Sequence, residues 1–478
     1  MAEKKKKTLV MKFGGTSVGS AEAIRRAAGI IGNHFAEWNK LVVVVSAMAG
    51  VTDMLISCAQ EAASGNEKAF RKIAERIEEK HRSVYESEIS NEGLREQTSS
   101  RMDELLNILG ELCTSICVLG EVSARGLDAI GSLGERMNAI LFSAVLREKG
   151  LPGWPVEATN LIVTDNSFNH ARPFMNETCE KTKKALAPLF DEGMVPIVTG
   201  FIAATRDGIT TTLGRGGSDY TASILGTCLD ADEVWTWTDV DGVMTADPRI
   251  VPDARVIPEI TYREVSEMAY FGAKVLHPKA IRPVIENGIP LWVKNTFHPE
   301  CPGTRIDNQP SSRAGLVTAV TLIRGLSLVT VEGSGMLGVP GIAARTFSAV
   351  AREQASVLMI SQSSSEQSIC FVIPSDRVSA VTSALEEEMA FEISRRDIDR
   401  VWSQDTVAIV SAIGSGMRHT PGVSARIFGA LGRKDINVIA IAQGSSEFSI
   451  SVVVDEKDAD DAVRQIHREV ILNELSNQ

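Results

Sequence analysis

TTTLGRGGSDYTASILG, from Thr210 to Gly226, places four glycines, one arginine and one aspartate at the entrance to an apolar helical pattern. Glycines at 214, 216 and 217 let backbone N–H groups turn toward a bound anion. The hydroxyls of Thr210, Thr211 and Thr212 are further candidate donors. Arg215 adds a planar donor fork suited to phosphate or carboxylate. Asp219 falls where the helix begins, so it either caps that helix or faces the same anion. Alone, a Gly/Ser-rich run of this length is a solvated loop; its neighbours change that reading.

VPIVTG (Val195–Gly200) reads as a strand feeding this stretch, and Glu233–Thr238 reads as another beyond it. The exit of the latter, TDVDGVMTADPR (Thr238–Arg249), gathers Asp239, Asp241, Asp247 and Arg249 at a turn. Carboxylates there could hold Mg2+ directly or through water, although the later ligands of an EF-hand loop are missing. Arg249 could compensate phosphate charge. In FGAKVLHP, Lys274 either touches phosphate or sits at the start of the helix opened by His277-Pro278. IPLWVKN then closes an α/β unit as its last strand.

Near the N-terminus TLVMKF (Thr8–Phe13) reads as a strand, followed by GGTSVG and a helix over residues 21–38. Strand, glycine turn and helix in that order build anion sites at strand ends. The pattern is neither G-x-G-x-x-G nor a P-loop, because Lys12 precedes Gly14 and Gly15. A lysine in an apolar strand either reaches a partner at the strand end or snorkels from a sheet edge. LVVVVSAMAG (Leu41–Gly50) reads as a central parallel strand with Ser46 at its carboxyl end. Thr52, just beyond, either lines the same place or caps a helix. Residues 59–120 lack proline and read as consecutive helices, with His34 and His81 expected on the surface. In LGERMNAILFSAVL an apolar stripe runs through Leu133, Met137, Ile140, Leu141 and Val145. Glu135 lies in the first turn of that helix, as a capping device or as a ligand for a substrate ammonium. Glycine- and aspartate-rich turns after strands, carrying lysines and arginines, are what phosphoryl transfer requires. No Ser–His–Asp or Cys–His arrangement emerges with comparable force.

A chain of 478 residues holds two to four domains. A net charge of −12 argues against a nucleic-acid partner, and the KKKK run at residues 4–7 is a short solvated tail. No apolar run is long enough for a membrane span or placed as a signal peptide. The seven cysteines show no paired or metal-binding spacing, so reduced thiols in a cytoplasm are expected.

The C-terminal region repeats. GSGMLGVPGIAARTF from Gly333 recurs as GSGMRHTPGVSARIF from Gly414, and ISQSSSEQSI recurs as IAQGSSEFSI, always 81 positions further on. Each copy reads as strand, Gly/Pro turn, helix, strand, polar turn, strand. Each is too small for more than a modest core, so the copies should pack together or across chains. The polar turns carry no acid–base pair and suit a small polar ligand. Gln362 and Gln443, equivalent in the copies, can both donate and accept.

The strings KFGGTSV, VVVVSAMAGVTD, GERMNA, TTTLGRGGSDYTA, WTDVDGVMTADPR and FGAKVLHP together resemble the aspartate kinases of the amino acid kinase family. The tail resembles their paired ACT regulatory modules, so the likeness covers essentially the whole chain. It implies an α/β fold: an N-terminal open, mostly parallel sheet sandwiched by helices, with two C-terminal ferredoxin-like ACT modules. The expected division is a catalytic domain over 1–305, a first ACT module over 316–400 and a second over 401–478.

The activity implied is phosphorylation of the L-aspartate side chain by ATP with Mg2+, giving 4-phospho-L-aspartate, the entry to lysine, threonine and methionine. By matched position, Lys12 neutralises the transferring phosphoryl group and Gly14 and Gly15 cradle it. Glu135 binds the substrate ammonium and Arg215 its α-carboxylate, while Ser46, Thr52 and Asp219 line or orient the site. Thr238, Asp239, Met244 and Arg249 lie at the nucleotide, with Lys274 near its phosphates. Mg2+ arrives with ATP rather than on a protein side chain. Many relatives carry tyrosine where this chain has Met244, so a ring-stacking contact is absent. Gln362 and Gln443 point to threonine as allosteric effector, with lysine as the competitor through Glu366 and Glu447. A homo-oligomer, dimer or tetramer, is expected through the ACT modules. Some threonine-regulated relatives continue into a homoserine dehydrogenase domain, which is not expected here because the sequence ends at Gln478. The alternatives are a sibling kinase for another acid or a nucleotide, and a non-catalytic amino-acid sensor.

Overall fold

The computed structural model describes residues 7–273, 276–308, 317–363, 367–444 and 447–472. The chain divides into two compact units. One comprises Met1–Val243, Pro258–Tyr262 and Val275–Pro310; the other comprises Met244–Ile257, Arg263–Lys274 and Ser311–Gln478.

In chain order the strands of the first unit are β1 (Thr8–Phe13), β2 (Lys40–Val45), β3 (Gly153–Val156), β4 (Val163–Thr164), β5 (Val195–Thr199), β6 (Ile202–Thr205), β7 (Thr210–Thr212), β8 (Glu233–Thr238), β9 (Glu259–Thr261), β10 (Leu291–Asn295) and β11 (Thr304–Asp307). Eight form one sheet in the order β3-β5-β2-β1-β8-β10-β11-β9; β4, β6 and β7 form a small separate one. Every pairing in the large sheet is parallel except β10 with β11. That explains the unbroken apolar runs of β1 and β2. Helices cover a parallel sheet on both faces, so alternation disappears. Leu9, Met11, Phe13, Val43 and Val45 join a core with Ile24, Leu55, Phe142 and Trp237.

Helices follow their capping chemistry. Ser20 accepts the Ala23 N–H ahead of Ala21–Phe35, and Asn66 and Asn91 do the same ahead of Glu67–Glu88 and Glu92–Leu119. His81, expected on the surface, is buried at 1% exposure. It lies inside the three-helix stack beyond β2, where its Nδ1 bonds to the Ile77 carbonyl at 2.7 Å. Burial lowers its pKa to about 4, so the imidazole is neutral there. Cys179 and Cys228 form a disulfide, contrary to the expectation of reduced thiols throughout. The helices Met175–Asp191 and Gly217–Cys228 bring the two Cα atoms to 4.5 Å across 49 residues of sequence. Sequence spacing could not have shown that proximity.

The second unit contains the repeat: β12 (Ala319–Glu332), β13 (Met359–Gln362), β14 (Ser368–Pro374), β15 (Arg400–Ile413), β16 (Ala440–Gln443) and β17 (Ser449–Asp455). These form one antiparallel sheet in the order β13-β14-β12-β15-β17-β16. The two copies are joined by the long β12–β15 pairing at the centre. Each copy keeps its own helix-covered core, one around Val329, Phe371 and Leu385, the other around Val410, Ile427 and Val463. Sharing a sheet is how two modules this small obtain adequate burial.

Candidate active site

The first unit carries a cleft of about 580 Å3 at the carboxyl ends of β1 and β2. It is lined by residues from six separate segments, among them Lys12, Gly15, Ser46, Thr52, Glu135, Arg215 and Asp219. Open parallel sheets present ligand sites at this end of their strands.

Lys12 stands on β1, a central strand flanked by β2 and β8, which removes the edge-strand reading. The residue is 7% exposed, and its Nζ lies 2.7 Å from Asp219 Oδ1. Asp219 sits in the first turn of the helix Gly217–Cys228 without capping it; the N-cap is Gly216. Gly214 and Gly216 have φ of +77° and +72°, a region an L side chain enters only with strain. They bend the chain from β7 into the helix so that Asp219 meets Lys12. A desolvated ion pair returns little stability. Its place in a cleft, with a cation held ready, marks a site for an anion.

Glu135 is 3% exposed, in the first turn of Leu133–Glu148. One oxygen accepts the Ala47 N–H at 3.2 Å; Oε2 is buried with no partner among the described residues. Burial raises its pKa to about 8. A capping acid would be solvated and hydrogen-bonded at a helix end. This carboxyl instead lines the cleft with one of its oxygens unsatisfied, a group that an incoming cation could satisfy. Thr52 belongs to the helix Val51–Ala63, whose N-cap is Gly50, so it lines the cleft and caps nothing. Asn138 Nδ2 donates to the Ser46 carbonyl at 2.5 Å and fixes the end of β2. Arg215 is exposed at the rim, where its charge helps hold His277 below the usual histidine range after burial has lowered it.

The other residues singled out from the sequence are placed as follows. The threonine hydroxyls are occupied by the protein: Thr210 accepts from Arg136, Thr211 pairs with Thr164, and Thr212 donates to Asp128. Of the three, only Thr212 lines the cleft. The Gly14 N–H donates to the Trp237 carbonyl at 3.0 Å, so of the two glycines only Gly15 lines the cleft. Thr238 ends β8 and Asp239 follows it; neither is among the residues lining the cleft. Met244 and Arg249 belong to the second unit, where Arg249 pairs with Asp247 at 2.6 Å. Lys274 lies outside the described residues.

Sequence reasoning missed Asp128, Asn169 and Phe201. Asp128 is 1% exposed and accepts from the Asn169 N–H, the Thr212 N–H and the Thr212 hydroxyl, tying three segments of the cleft wall together. Phe201 takes φ +66°, held by its N–H bond to Thr221 Oγ1. An acid inside the apolar run LDAIGSLG was the available signal for Asp128; nothing local marks the other two.

A doubly wound parallel sheet with a lysine–aspartate pair and a buried acid at its strand ends defines a phosphoryl-transfer class of fold. A sequence model of the amino acid kinase family matches residues 7–295, and an ACT domain model matches 329–389 and 410–470. The chain is 38% identical to the bifunctional aspartokinase/homoserine dehydrogenase 2 of Arabidopsis thaliana over 97% of its own length and 51% of that protein's. It is 34% identical to the lysine-sensitive aspartokinase 3 of Escherichia coli, covering 96% and 98%. It superposes on the crystal structure of E. coli aspartokinase III with aspartate and ADP at a TM-score of 0.80 and 32% identity, covering 97% and 100%. The chain therefore belongs to the amino acid kinase family and, within it, to the aspartate kinases. It spans about half the length of the bifunctional relatives it matches. Among the described residues no helix is long and apolar enough to cross a membrane.

Proposed function

We propose that the chain transfers the terminal phosphoryl group of ATP to the side-chain carboxylate of L-aspartate, forming 4-phospho-L-aspartate at the head of lysine, threonine and methionine synthesis in the cytoplasm. The observation that carries this reading is the unpartnered Glu135 oxygen in the same cleft as the Lys12–Asp219 pair. The cleft has the fittings for an amino acid: Glu135 for the ammonium and Arg215 for the α-carboxylate. Lys12 and the Gly15 backbone fit a phosphate, and Ser46 and Thr52 add hydroxyls. ATP with Mg2+, when bound, supplies the phosphoryl group. Lys12 compensates the charge that develops, and Asp219 holds that ammonium in place. The acceptor carboxylate is already ionised at neutral pH, so no residue has to remove a proton. Positioning and charge compensation are the whole task. The match to aspartokinase III bound to aspartate and ADP supports the substrate assignment.

The catalytic domain is assigned to 1–305 and the ACT modules to 316–400 and 401–478, through which the chain forms a dimer or tetramer. Threonine is the proposed feedback inhibitor. Gln362 ends β13 and lines a cavity of about 330 Å3 with Met336, Pro340 and Ile342; Gln443 ends β16 at the equivalent position. An amide suits a hydroxyl. Lysine would want an acid, and the Glu447 carboxylate already accepts the His419 N–H at 2.8 Å; Glu366 lies outside the described residues. The test is steady-state ADP release with aspartate, glutamate, acetylglutamate or uridine monophosphate, each with and without threonine and lysine. Turnover only with a substrate other than aspartate overturns the substrate, and no turnover with any overturns catalysis. Inhibition by lysine alone overturns the effector.

A further inference from the structure

Asp241, His298 and Cys301 offer one oxygen, one nitrogen and one sulfur within 4.8 Å of one another. All three belong to the first unit and none lines the cleft. We propose that these side chains form a binding site for a borderline divalent cation of the zinc type, separate from the Mg2+ that accompanies ATP.

The local structure supports a built site. His298-Pro-Glu-Cys301 has the two-residue spacing of paired metal ligands on a turn. That turn is closed by the Cys301 N–H donating to the His298 carbonyl at 3.0 Å. Asp241 arrives from the turn after β8, and His298 Nδ1 lies 3.0 Å from its Oδ1. Asn295, the last residue of β10, donates to the same oxygen at 2.6 Å and orients the carboxylate from behind. Metal-binding carboxylates and imidazoles are held by such outer hydrogen bonds.

A hydrogen-bonded aspartate–histidine–asparagine cluster at a turn would account for three of these residues without any ion. It leaves the thiol beside them without a role. The donor set itself selects the ion. Sulfur and imidazole suit Zn2+ or Co2+, whereas Mg2+ takes hard oxygen ligands. Bonds of about 2.0–2.3 Å in a tetrahedron bring ligand atoms to roughly 3.3–3.8 Å, so the present spread closes by about 1 Å. The His298 side chain, 59% exposed, has the freedom to make that movement. Three protein ligands leave a fourth position for water. A bound ion would tie the turn after β8 to the turn after β10.

The test uses the full chain, stripped with a chelator, handled without oxygen so that Cys301 stays a thiol while the Cys179–Cys228 disulfide stays formed, and titrated with Co2+. Saturable binding of one equivalent is expected, with a near-ultraviolet thiolate-to-cobalt absorption that Zn2+ displaces. Cys301→Ser abolishes the absorption, and His298→Ala or Asp241→Asn weakens binding about tenfold or more. Cys370→Ser leaves it intact. Both Cys301→Ser and His298→Ala change turn residues outside the core, so a melting curve matching wild type validates them without metal. No saturable binding, or a thiolate band that survives Cys301→Ser or is lost with Cys370→Ser, overturns the site.

Discussion

The cleft of the first unit and the cavity beside Gln362 are made of opposite materials. The cleft draws on residues from six segments, and its decisive groups are ionisable side chains taken out of water: Lys12 at 7% exposure and Glu135 at 3%. The repeat cavity comes from one turn, one helix start and two strand residues of a single module. It is lined by glycine, proline, aliphatic side chains and one neutral amide. Moving a phosphoryl group needs fixed charge in a poorly solvated place, which the large parallel sheet with its covered faces supplies here. The role proposed for the repeat, reporting the concentration of a small amino acid, needs only modest affinity, for which neutral groups near the surface suffice.

If that contrast is right, changes in the cleft act strongly and changes in the repeat act weakly. Lys12→Ala should lower kcat by about 100-fold or more, because the lost ammonium acts chiefly as charge moves. Stopped-flow or steady-state kinetics on a variant with an unchanged melting curve checks it; an unaltered kcat places Lys12 outside the chemistry. Glu135→Gln should raise the KM for aspartate by about 10- to 150-fold through loss of a charged hydrogen bond, with a much smaller change in kcat.

The same acid makes a pH prediction. Burial holds the Glu135 pKa at about 8, so near neutrality it carries a proton that binding of an ammonium must displace. Affinity for aspartate therefore rises with pH until that value is passed. The KM should fall by about fivefold from pH 7 to pH 8, and Glu135→Gln should flatten the profile. A wild-type KM that does not fall over this range contradicts the role given to Glu135.

The smallest effect is expected in the repeat. Gln362 and Gln443 are both exposed at their strand ends, so loss of one amide costs about 0.5–1 kcal/mol. Either Gln→Ala change should raise the inhibitory threonine concentration about two- to fivefold and leave basal kcat alone. A threonine titration at fixed aspartate reads this. A large effect from one glutamine and none from the other would show that the copies, though equivalent in structure, are unequal in sensing.

The parallel strands and the repeat were plain in the sequence because their signals are local. β1 and β8 have the boundaries that TLVMKF and EVWTWT suggest, and the 81-residue offset holds for every strand pair from β12/β15 to β14/β17. Candidate residues were found where chemistry and context conflicted: a lysine in an apolar strand, an acid at an apolar helix start. What stayed hidden depends on groups far apart in sequence. Asp128 acts on Asn169 and Thr212, 41 and 84 residues away. The burial of His81 depends on which helices stack on it, and the Gly14 N–H is taken by a carbonyl 223 positions later. The disulfide between Cys179 and Cys228 follows from helix packing that no spacing rule encodes.

The central claim is that the cleft holding Lys12, Glu135 and Arg215 phosphorylates aspartate. Hydroxylamine trapping of the product tests it most directly, run with wild type and Lys12→Ala side by side. An aspartyl hydroxamate formed with ATP and Mg2+ by wild type, and reduced about 100-fold in the variant, is the result predicted. Hydroxamate from another acid with none from aspartate, or equal amounts from the two proteins, would contradict the account.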